Sequence, residues 1–420
     1  MPVETFMERS SARMERRLPE MYLVLALVLT ILLCWMTPPF FAPDEADHTA
    51  RELALLHGHL IAQPSPDGAG DDIDSGVVRV KDAMDIIRMD WEKHAGYFLD
   101  RSYGSVTDEQ QLKQVGERWS GQTIFEEYAN TAVYPPLLYL PAMAGWKIGE
   151  AAGWTVFASL RLARLLCALC AVAFGWLALR FCVGVRWLLF AGLLLPTVLY
   201  LNATCCQDAL VPGLAALAVA MLSRALAGKR NFTGAELAVV AVALGAIAMA
   251  RPPYATMALM LFLPAAETRA NLRHWLAPAV AFATVLAATV VWWRTVSWLG
   301  LVTNDLGEPI KQRVFLHEHP LAATLALLRG TAYAGYDFFH RGVYVVGLND
   351  LLPHHGAALV LTICLFTVVL AARGPVVQSW RGRALLLAMS VPIDVARAGQ
   401  FLAKHLIRAF AEATGWVRAR

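Results

Sequence analysis

The sequence predicts an all-α polytopic membrane protein with about eight transmembrane helices. Of its 420 residues, 57% are hydrophobic and only 16% are charged, whereas about a quarter of the residues in an ordinary soluble domain are charged. Apolar runs long enough to cross a bilayer recur along the chain. Lysines and arginines form short clusters between these runs, and the net charge is only +3. The sequence has no long basic block, so we exclude nucleic acid as a partner.

Eight apolar runs are predicted to cross the membrane. A crossing needs about 20 mostly apolar residues, and fewer where aromatic or arginine side chains at its ends reach the interface. The first run follows three arginines, as in a signal peptide, but it has no small-residue cleavage site, so we interpret it as an uncleaved anchor. The runs are 19–41, 157–182, 187–201, 209–223, 235–250, 253–266, 275–293 and 357–372.

The basic residues predict the orientation of these helices. Short loops rich in Lys and Arg stay in the cytoplasm, and five such clusters fall on one side if each run crosses once. An N-terminus (1–18) and a C-terminal tail (373–420) are then cytoplasmic, in an integral protein of the plasma (inner) membrane. The transmembrane domain is 19–372, with large outer loops at 42–133 and 294–356. The clusters are Arg9/Arg13/Arg16/Arg17, Arg180/Arg186, Arg224/Lys229/Arg230, Arg269/Arg273 and Arg373/Arg381/Arg383.

The topology and the composition also predict the placement and the structure of segments outside the eight runs. Piece 134–152 must start and end outside, so we expect it to be re-entrant or to lie along the interface. The alternative, in which it spans, would move about ten basic residues outside. Residues 65–75, rich in Gly and Asp, are predicted to form a polar linker, and 81–115 to form short helices. Residues 391–420 resemble a basic amphipathic helix on the cytoplasmic surface.

The most acidic stretch is PPFFAPDEADHTARELALLHGHL, residues 38–60, directly after the first run. A helix from Asp44 to about Leu60 would place Asp44, His48 and Arg51 on one face and Leu53, Leu56 and Leu60 on another. This predicts an amphipathic helix just outside the membrane. Helix capping by Asp44 and Asp47 is one explanation of the acidity. Capping leaves Glu45 and His48 unexplained, so a functional role stays open beside it.

Other ionisable residues lie at the predicted outer ends of the spans. Asp208 opens an apolar run, where a carboxylate is costly unless it faces a cavity or a partner. Arg161, Arg164 and Arg251 run against the usual cytoplasmic bias of arginine, so each invites an anionic partner. Snorkelling to the interface is the alternative for these arginines. Together the carboxylates and arginines suit a reaction on a phosphate-bearing lipid.

A family resemblance rests on the acidic stretch together with YPPLLYLP, RLARLL, QDAL, ARPPY, HPLAATLALLRGTAYAGYDFF and GLNDLLP. These motifs, over residues 19–372, resemble the DUF2142 family of predicted membrane proteins. That family looks like a branch of the GT-C superfamily of membrane glycosyltransferases. The resemblance implies a GT-C-like fold with an outer juxtamembrane helix, and a polyprenyl-phosphate-linked sugar donor used outside. The acceptor would be a glycan, a lipid or a protein of the cell envelope.

The resemblance also implies roles for individual residues. Asp44 and Glu45 take the position of the catalytic acid in the first outer loop, and Asp208 that of a second acid. No metal is required, because arginines alone can hold a lipid monophosphate, and the histidine pairs lack the helical spacing of metal sites. A divalent metal is an option that the sequence does not support. By the resemblance, Arg161, Arg164 and Arg251 would hold the lipid phosphate. We also predict His48, Arg51, Tyr134 and Asp350 to bind substrate.

Two other functions stay open. One is a non-enzymatic transporter or flippase-like carrier of lipid-linked saccharide, and the other is an inactive family member with a truncated C-terminus. A transporter is expected to have polar residues deep within several spans. Here the charges lie at the ends of the spans, which favours chemistry at the interface.

Overall fold

A computed structural model describes residues 3–65, 68–93, 116–268 and 271–299, with short stretches at 317–322, 325, 367, 377, 379–386 and 388–389. The described chain is mostly helical. Its α-helices are α1 (Val3–Met36), α2 (Glu45–Leu56), α3 (Ser75–Lys93), α4 (Leu140–Ala151), α5 (Val156–Phe181), α6 (Arg186–Leu193), α7 (Pro196–Asn202), α8 (Val211–Ala227), α9 (Gly234–Ala250), α10 (Leu263–Glu267) and α11 (Arg273–Val296). Four 3-10 helices connect them, at Pro136–Tyr139, Gln207–Ala209, Pro252–Phe262 and Ser297–Leu299.

Four helical segments in the described residues are long and apolar enough to cross a membrane. They are Arg13–Met36, Val156–Phe181, Gln207–Ala227 and Arg273–Leu299. They agree with the predicted runs 19–41, 157–182, 209–223 and 275–293. The predicted run 235–250 is the shorter apolar helix Gly234–Ala250. The count of about eight is therefore not confirmed, and run 357–372 lies outside the described residues except for Thr367.

Two predicted spans, 187–201 and 253–266, are not continuous α-helices. Pro196 begins α7 after the break at the end of α6, because proline has no N–H to donate within a helix. Pro252 and Pro253 open the second segment, which is a 3-10 helix up to Phe262. The hydrophobic pattern predicted the apolar character of these segments but not their breaks.

Contacts at the helix ends show that successive segments run between two common ends of the bundle. At one end, Arg164 of α5 donates to Thr37 O after α1 at 2.6 Å, and Trp293 of α11 donates to Met249 O of α9 at 3.0 Å. At the other end, Arg186 lies 3.9 Å from Glu15. We call the first the sheet end and the second the basic end. The broken pair α6–α7 also joins them, since Cys205 N after α7 donates to Glu45 at 3.2 Å.

Piece 134–152 begins and ends at the sheet end. Trp292 of α11 donates to Val133 O at 2.8 Å before it, and Val156 N donates to Glu117 O after it. Its helix α4 has 12 residues, about 18 Å, which is too short for a hydrocarbon core of about 30 Å. It packs closely along α5, since a Cβ on Gly145 would lie 2.4 Å from Ala163 Cα. The piece therefore starts and finishes at one end of the bundle, and its re-entrant or interfacial position stays a prediction.

A three-stranded antiparallel sheet follows α2, so the all-α prediction needs a correction. The strands are β1 (Gln63–Ser65), β2 (Gly68–Asp74) and β3 (Thr123–Glu127), in the order β1-β2-β3. The predicted linker 65–75 is therefore mostly strand β2. Gly70 is needed there, because a Cβ would lie 2.1 Å from Glu126 O. Helix α3 covers the first part of the predicted helical region 81–115, and residues 94–115 lie outside the described part.

Two of the three acidic residues of β2, Asp71 and Asp74, are buried and accept hydrogen bonds from other parts of the protein. The buried Asp71 carboxylate accepts hydrogen bonds from Tyr128 Oη and from His59 Nδ1, the latter at 2.8 Å. Asp74 accepts from the backbone N–H groups of Gly76 and Gly121, each at 2.8 Å. Acidity here therefore stabilises a folded domain on the sheet end.

Part of the predicted C-terminal tail contacts the bundle. Ser379 N donates to Glu267 at 3.0 Å near the basic end, and Thr256 Oγ1 donates to Met389 O at 3.2 Å. Leu385 and Met389 pack against the main hydrophobic core. The amphipathic segment predicted for 391–420 lies outside the described residues.

Candidate functional site

Asp44 begins the site, at the junction between α1 and α2. Its backbone is left-handed, with φ 55° and ψ 12°, and its side chain is exposed and makes no capping hydrogen bond. Asp is tolerated in this conformation better than most residues, although at some cost. Asp47 makes no capping box, since its carboxylate faces Asn130 Nδ2 at 3.4 Å. Capping therefore does not explain the acidity, and the Asp44 carboxylate has no hydrogen bond or ion pair with a described residue.

Glu45 and Arg164 form a buried ion pair. Arg164 Nε and Nη2 contact the two Glu45 oxygens at 2.8 and 2.5 Å. The other Arg164 donors bond Thr37 O at 2.6 Å and Pro38 O at 2.8 Å. Both side chains are fully buried. The prediction assigned catalysis to Glu45 and phosphate binding to Arg164, but the structure places each against the other.

The same pair joins three segments of the chain. Glu45 Oε1 also accepts from Cys205 N at 3.2 Å, in the loop that leads to Asp208. Arg164 holds the end of α1, and Glu45 is the first residue of α2. We call Glu45 and Arg164 the clamp, because they fix the start of α2 relative to the loop that carries the second acid.

Asp208 and Arg251 form a second ion pair, which is partly exposed. Arg251 Nε donates to Asp208 Oδ1 at 3.0 Å, and Arg251 Nη2 contacts Oδ2. Arg251 follows the last residue of α9, where a cation is favourable at the helix C-terminus. The prediction placed both residues in the site, and the structure brings them together with edges open to a ligand.

His48 connects Asp44 with the second pair. Its Nδ1 lies 2.5 Å from Tyr139 Oη, and its ring stacks on Tyr134 with 5.8 Å between centroids and an interplanar angle of 14°. The charges of Asp208, Asp44 and Arg251 all act on the imidazole, but burial dominates and lowers the pKa of His48 to about 4. The ring is therefore neutral near pH 7. We call Asp44, His48, Tyr134, Asp208 and Arg251 the Asp44 site.

Arg51 supports this site from inside the protein. Its guanidinium is fully buried and donates to three backbone carbonyls: Tyr134 O at 3.1 and 3.3 Å, Leu60 O at 2.9 Å and His59 O at 3.4 Å. Arg51 was predicted to bind substrate. Its observed contacts instead hold Tyr134 and the loop after α2.

Helix α2 differs from the predicted surface helix. It ends at Leu56 rather than near Leu60, and nine of its residues, among them His48, Arg51 and Leu53, are buried. Strand β2 and helix α4 pack against it. The amphipathic prediction is wrong because the sheet, which the sequence pattern did not reveal, covers the helix.

Arg161 and Asp350 are not brought into the Asp44 site by any described contact. The Arg161 guanidinium lies between two aromatic rings, 3.9 Å from the Phe157 centroid and 4.3 Å from that of Trp35. Its Nε is buried without a hydrogen-bond partner in the described residues. Asp350 lies outside the described residues.

Three buried polar residues near the site were missed in the sequence. Tyr139 is the hydrogen-bond partner of His48. Gln207 is fully buried beside Asp208, and neither amide atom has a partner in the described residues. Glu52 accepts from Trp146 Nε1 at 2.8 Å, and burial raises its pKa well above the usual value. No local pattern marks these three residues, although YPPLLYLP does contain both Tyr134 and Tyr139.

The expectation that no metal is required stays a prediction. In the part of the chain that the structure describes, no group of three or more His, Cys, Asp or Glu side chains is arranged to hold a metal ion. The histidines of the HGH turn after α2 each face a carboxylate instead, His57 at 3.1 Å from Glu150 and His59 at 2.8 Å from Asp71.

Comparison with known proteins identifies one family. A family model described as "Predicted membrane protein (DUF2142)" matches residues 27–398. No curated protein and no solved structure matches the chain. The matched range contains the clamp and every residue of the Asp44 site.

Proposed function

This chain belongs to the DUF2142 family of predicted membrane proteins, and on that premise we propose that it is a membrane glycosyltransferase. The donor is a sugar linked to a polyprenyl phosphate, and transfer takes place at the Asp44 site. The sheet end faces outside, where the acceptor is a glycan, lipid or protein of the cell envelope. The membrane is the plasma (inner) membrane.

One observation carries this proposal: an exposed carboxylate without a described partner acts electrostatically on the same two rings, His48 and Tyr134, as an arginine that a second carboxylate orients. Asp44 has no described partner, while Asp208 holds Arg251 through two contacts. The charges of Asp44, Asp208 and Arg251 act on the same tyrosine, Tyr134. A base beside an anchored cation is what glycosyl transfer from a phosphate requires.

The reaction then proceeds as an inverting displacement. Asp44 takes the proton of the acceptor hydroxyl, and the acceptor oxygen forms a bond to the anomeric carbon. The bond between that carbon and the phosphate oxygen breaks, and polyprenyl phosphate departs with the electron pair. Arg251 stabilises the added charge on the departing phosphate, and Asp208 keeps the guanidinium in place.

The clamp supports this chemistry without taking part in it. Glu45 and Arg164 form hydrogen bonds with each other and with the backbone. They set the distance between the α2 start, which carries Asp44, and the loop before Asp208. Of the two acids predicted to be catalytic at the α2 start, Asp44 is the one that can reach a substrate.

A turnover assay with purified full-length protein tests the proposal. The probes are polyprenyl phosphates carrying radiolabelled glucose, mannose or aminoarabinose, and the readout is release of polyprenyl phosphate. We expect Asp44→Asn to lower kcat by about 10²- to 10⁴-fold, as loss of a general base does. Asp47→Asn is the matched control, because Asp47 lies in the same helical turn and faces Asn130.

The assay also decides between the enzyme and the carrier. Binding of the lipid-linked sugars without turnover would support the flippase-like alternative. Equal turnover by wild type and Asp44→Asn would refute the role of Asp44.

A further inference from the structure

Tyr139 has one described hydrogen-bond partner, the imidazole of His48. Its side chain is fully buried, and its Oη lies 2.5 Å from His48 Nδ1. Burial raises the pKa of Tyr139 well above its usual value, so the phenol keeps its hydrogen. Burial also keeps His48 neutral. The contact therefore joins one O–H group to one neutral imidazole.

The direction of this hydrogen bond follows from the donors available. A neutral imidazole has one N–H, on either Nδ1 or Nε2. If Nδ1 carried the hydrogen, it would donate to Tyr139 Oη, and the phenol O–H would have no acceptor among the described residues. An unsatisfied buried donor costs about 1–3 kcal/mol. Tyr139 therefore donates to Nδ1, and the imidazole hydrogen is on Nε2.

We propose that Tyr139 is a positioning residue that holds His48 in the Nε2–H tautomer, so that His48 offers a neutral hydrogen-bond donor to a substrate oxygen in the Asp44 site. The inference rests on the proposed function for the identity of the substrate. The oxygen belongs to the phosphate or to a sugar hydroxyl of the donor. His48 is then neither a base nor a metal ligand in this reaction.

The surroundings of the ring support a donor role. His48 Nε2 makes no hydrogen bond with any described residue, and the charged groups acting on the ring are Asp208, Asp44, Arg251 and Glu45. Three of these have partners of their own, and the fourth is the unpaired Asp44. The ring is also held in place by its stacking on Tyr134, whose carbonyl Arg51 fixes.

Nitrogen NMR of the purified protein with ¹⁵N-labelled histidine tests the tautomer directly. The His48 signals are assigned by their loss in His48→Gln. We expect Nε2 to show the shift of a protonated ring nitrogen and Nδ1 that of an unprotonated one, with no titration between pH 5 and 8. In Tyr139→Phe we expect both the Nδ1–H and the Nε2–H tautomer of His48 to be populated. A protonated Nδ1, or an unchanged spectrum in Tyr139→Phe, overturns the proposal.

Tyr22→Phe is the matched control. The Tyr22 hydroxyl is also buried, but it has no hydrogen-bond partner in the described residues. Its removal therefore tests the loss of a phenol oxygen without the loss of this contact, and we expect an unchanged His48 signal.

Binding measurements test the substrate contact. We expect Tyr139→Phe to weaken binding about tenfold, close to the loss of one hydrogen bond. Weaker binding of both polyprenyl phosphate and its glucose, mannose or aminoarabinose conjugates assigns the contact to the phosphate. Weaker binding of a conjugate alone assigns it to the sugar. Unchanged binding of all of them contradicts the contact.

Two variants at His48 separate this contact from a packing role. The amide nitrogen of Gln can replace Nε2, whereas that of Asn reaches only the position of Nδ1. We expect His48→Gln to bind within about threefold of wild type and His48→Asn about tenfold more weakly. Equal losses in both contradict the donor role. The NMR result does not depend on turnover, so a failed turnover assay would refute the proposed function and leave the tautomer decided.

Discussion

Two arginine–carboxylate pairs lie at the sheet end, and they differ in what surrounds them. The Glu45 and Arg164 side chains are both 0% exposed, whereas Asp208 is 27% and Arg251 37% exposed. The first pair uses its remaining donors and acceptors on three backbone groups, those of Thr37, Pro38 and Cys205. The second pair is partly exposed, so its polar atoms are accessible to a ligand. The comparison teaches that, in this protein, one arginine–carboxylate pair holds backbone segments together inside the fold, and the other forms part of a candidate binding site.

The largest expected effect comes from breaking the buried pair. Glu45→Gln leaves the Arg164 charge buried without its counter-charge, which costs about 3–5 kcal/mol of folding stability. Thermal unfolding of the purified protein in detergent measures this loss. The double variant Glu45→Met/Arg164→Met should recover much of it, because no charge is then buried alone. A Glu45→Gln protein that unfolds like wild type but has lost turnover would restore the catalytic assignment of Glu45.

The next effect is the pH dependence of folding stability that comes from His48, the buried residue of the Asp44 site. The pKa of His48 falls from 6.5 to about 4 on folding, which corresponds to about 3 kcal/mol. Above pH 6.5 His48 is neutral in both the folded and the unfolded chain, so it contributes nothing to the pH dependence of stability. As pH falls from 6.5 to 4, the unfolded chain gains a proton that the folded chain does not, so stability is lost.

Unfolding measured between pH 4 and 7 checks this dependence on His48. The loss should be smaller in His48→Gln, which has no titrating group at this position. An identical pH profile in the two proteins would show that the imidazole is more accessible than its surroundings indicate.

A smaller effect on stability is expected at the exposed pair. Asp208→Asn should lower the free energy of unfolding by less than about 1 kcal/mol, because solvent screens a partly exposed ion pair. Its binding of polyprenyl phosphate should nevertheless weaken, since Arg251 loses its orientation. If Asp208→Asn destabilised the protein as much as Glu45→Gln, the expected difference in stability contribution between the buried and the exposed pair would be wrong.

The smallest effect is expected at Arg161, which has aromatic neighbours but no carboxylate partner among the described residues. Arg161→Gln removes two cation–π contacts that are worth about 0.5–1 kcal/mol each at exposed sites. The same unfolding assay measures the change. Arg161→Lys, which keeps the charge, is the control. A loss as large as that of Glu45→Gln would indicate an anionic partner outside the described residues.

The sequence predicted the membrane class, the four helices that are long and apolar enough to cross a membrane, and the family. It also indicated Asp44, Asp208 and Arg251 as candidate site residues, because a charged side chain at the end of an apolar run is costly unless it faces a cavity or a partner. It could not predict which acid pairs with which arginine. Glu45 and Arg164 are 119 residues apart, and nothing in their local sequence distinguishes them from Asp208 and Arg251.

The sheet and the burial of α2 were also beyond the local pattern. Gly68–Asp74 contains glycine and aspartate where strands usually contain β-branched residues. Its two buried acids, Asp71 and Asp74, bond groups distant in sequence such as Tyr128 and Gly121. Once this sheet covers α2, the face that carries His48 and Arg51 becomes interior. Tyr139 could not be distinguished from Tyr134 for the same reason, since only the folded chain brings it to His48.

The unequal lengths of the helices have a consequence for the thickness of the surrounding bilayer. Helix α5 has 26 residues, about 39 Å, while α9 has 17, about 26 Å, against a hydrocarbon core of about 30 Å. For α9 to cross the bilayer, as the run 235–250 predicts, the lipid around it must thin, or polar headgroups must move towards the protein. Arg251 stands at the end of this short helix, so the headgroup of a lipid has the least distance to travel at the residue proposed to bind its phosphate.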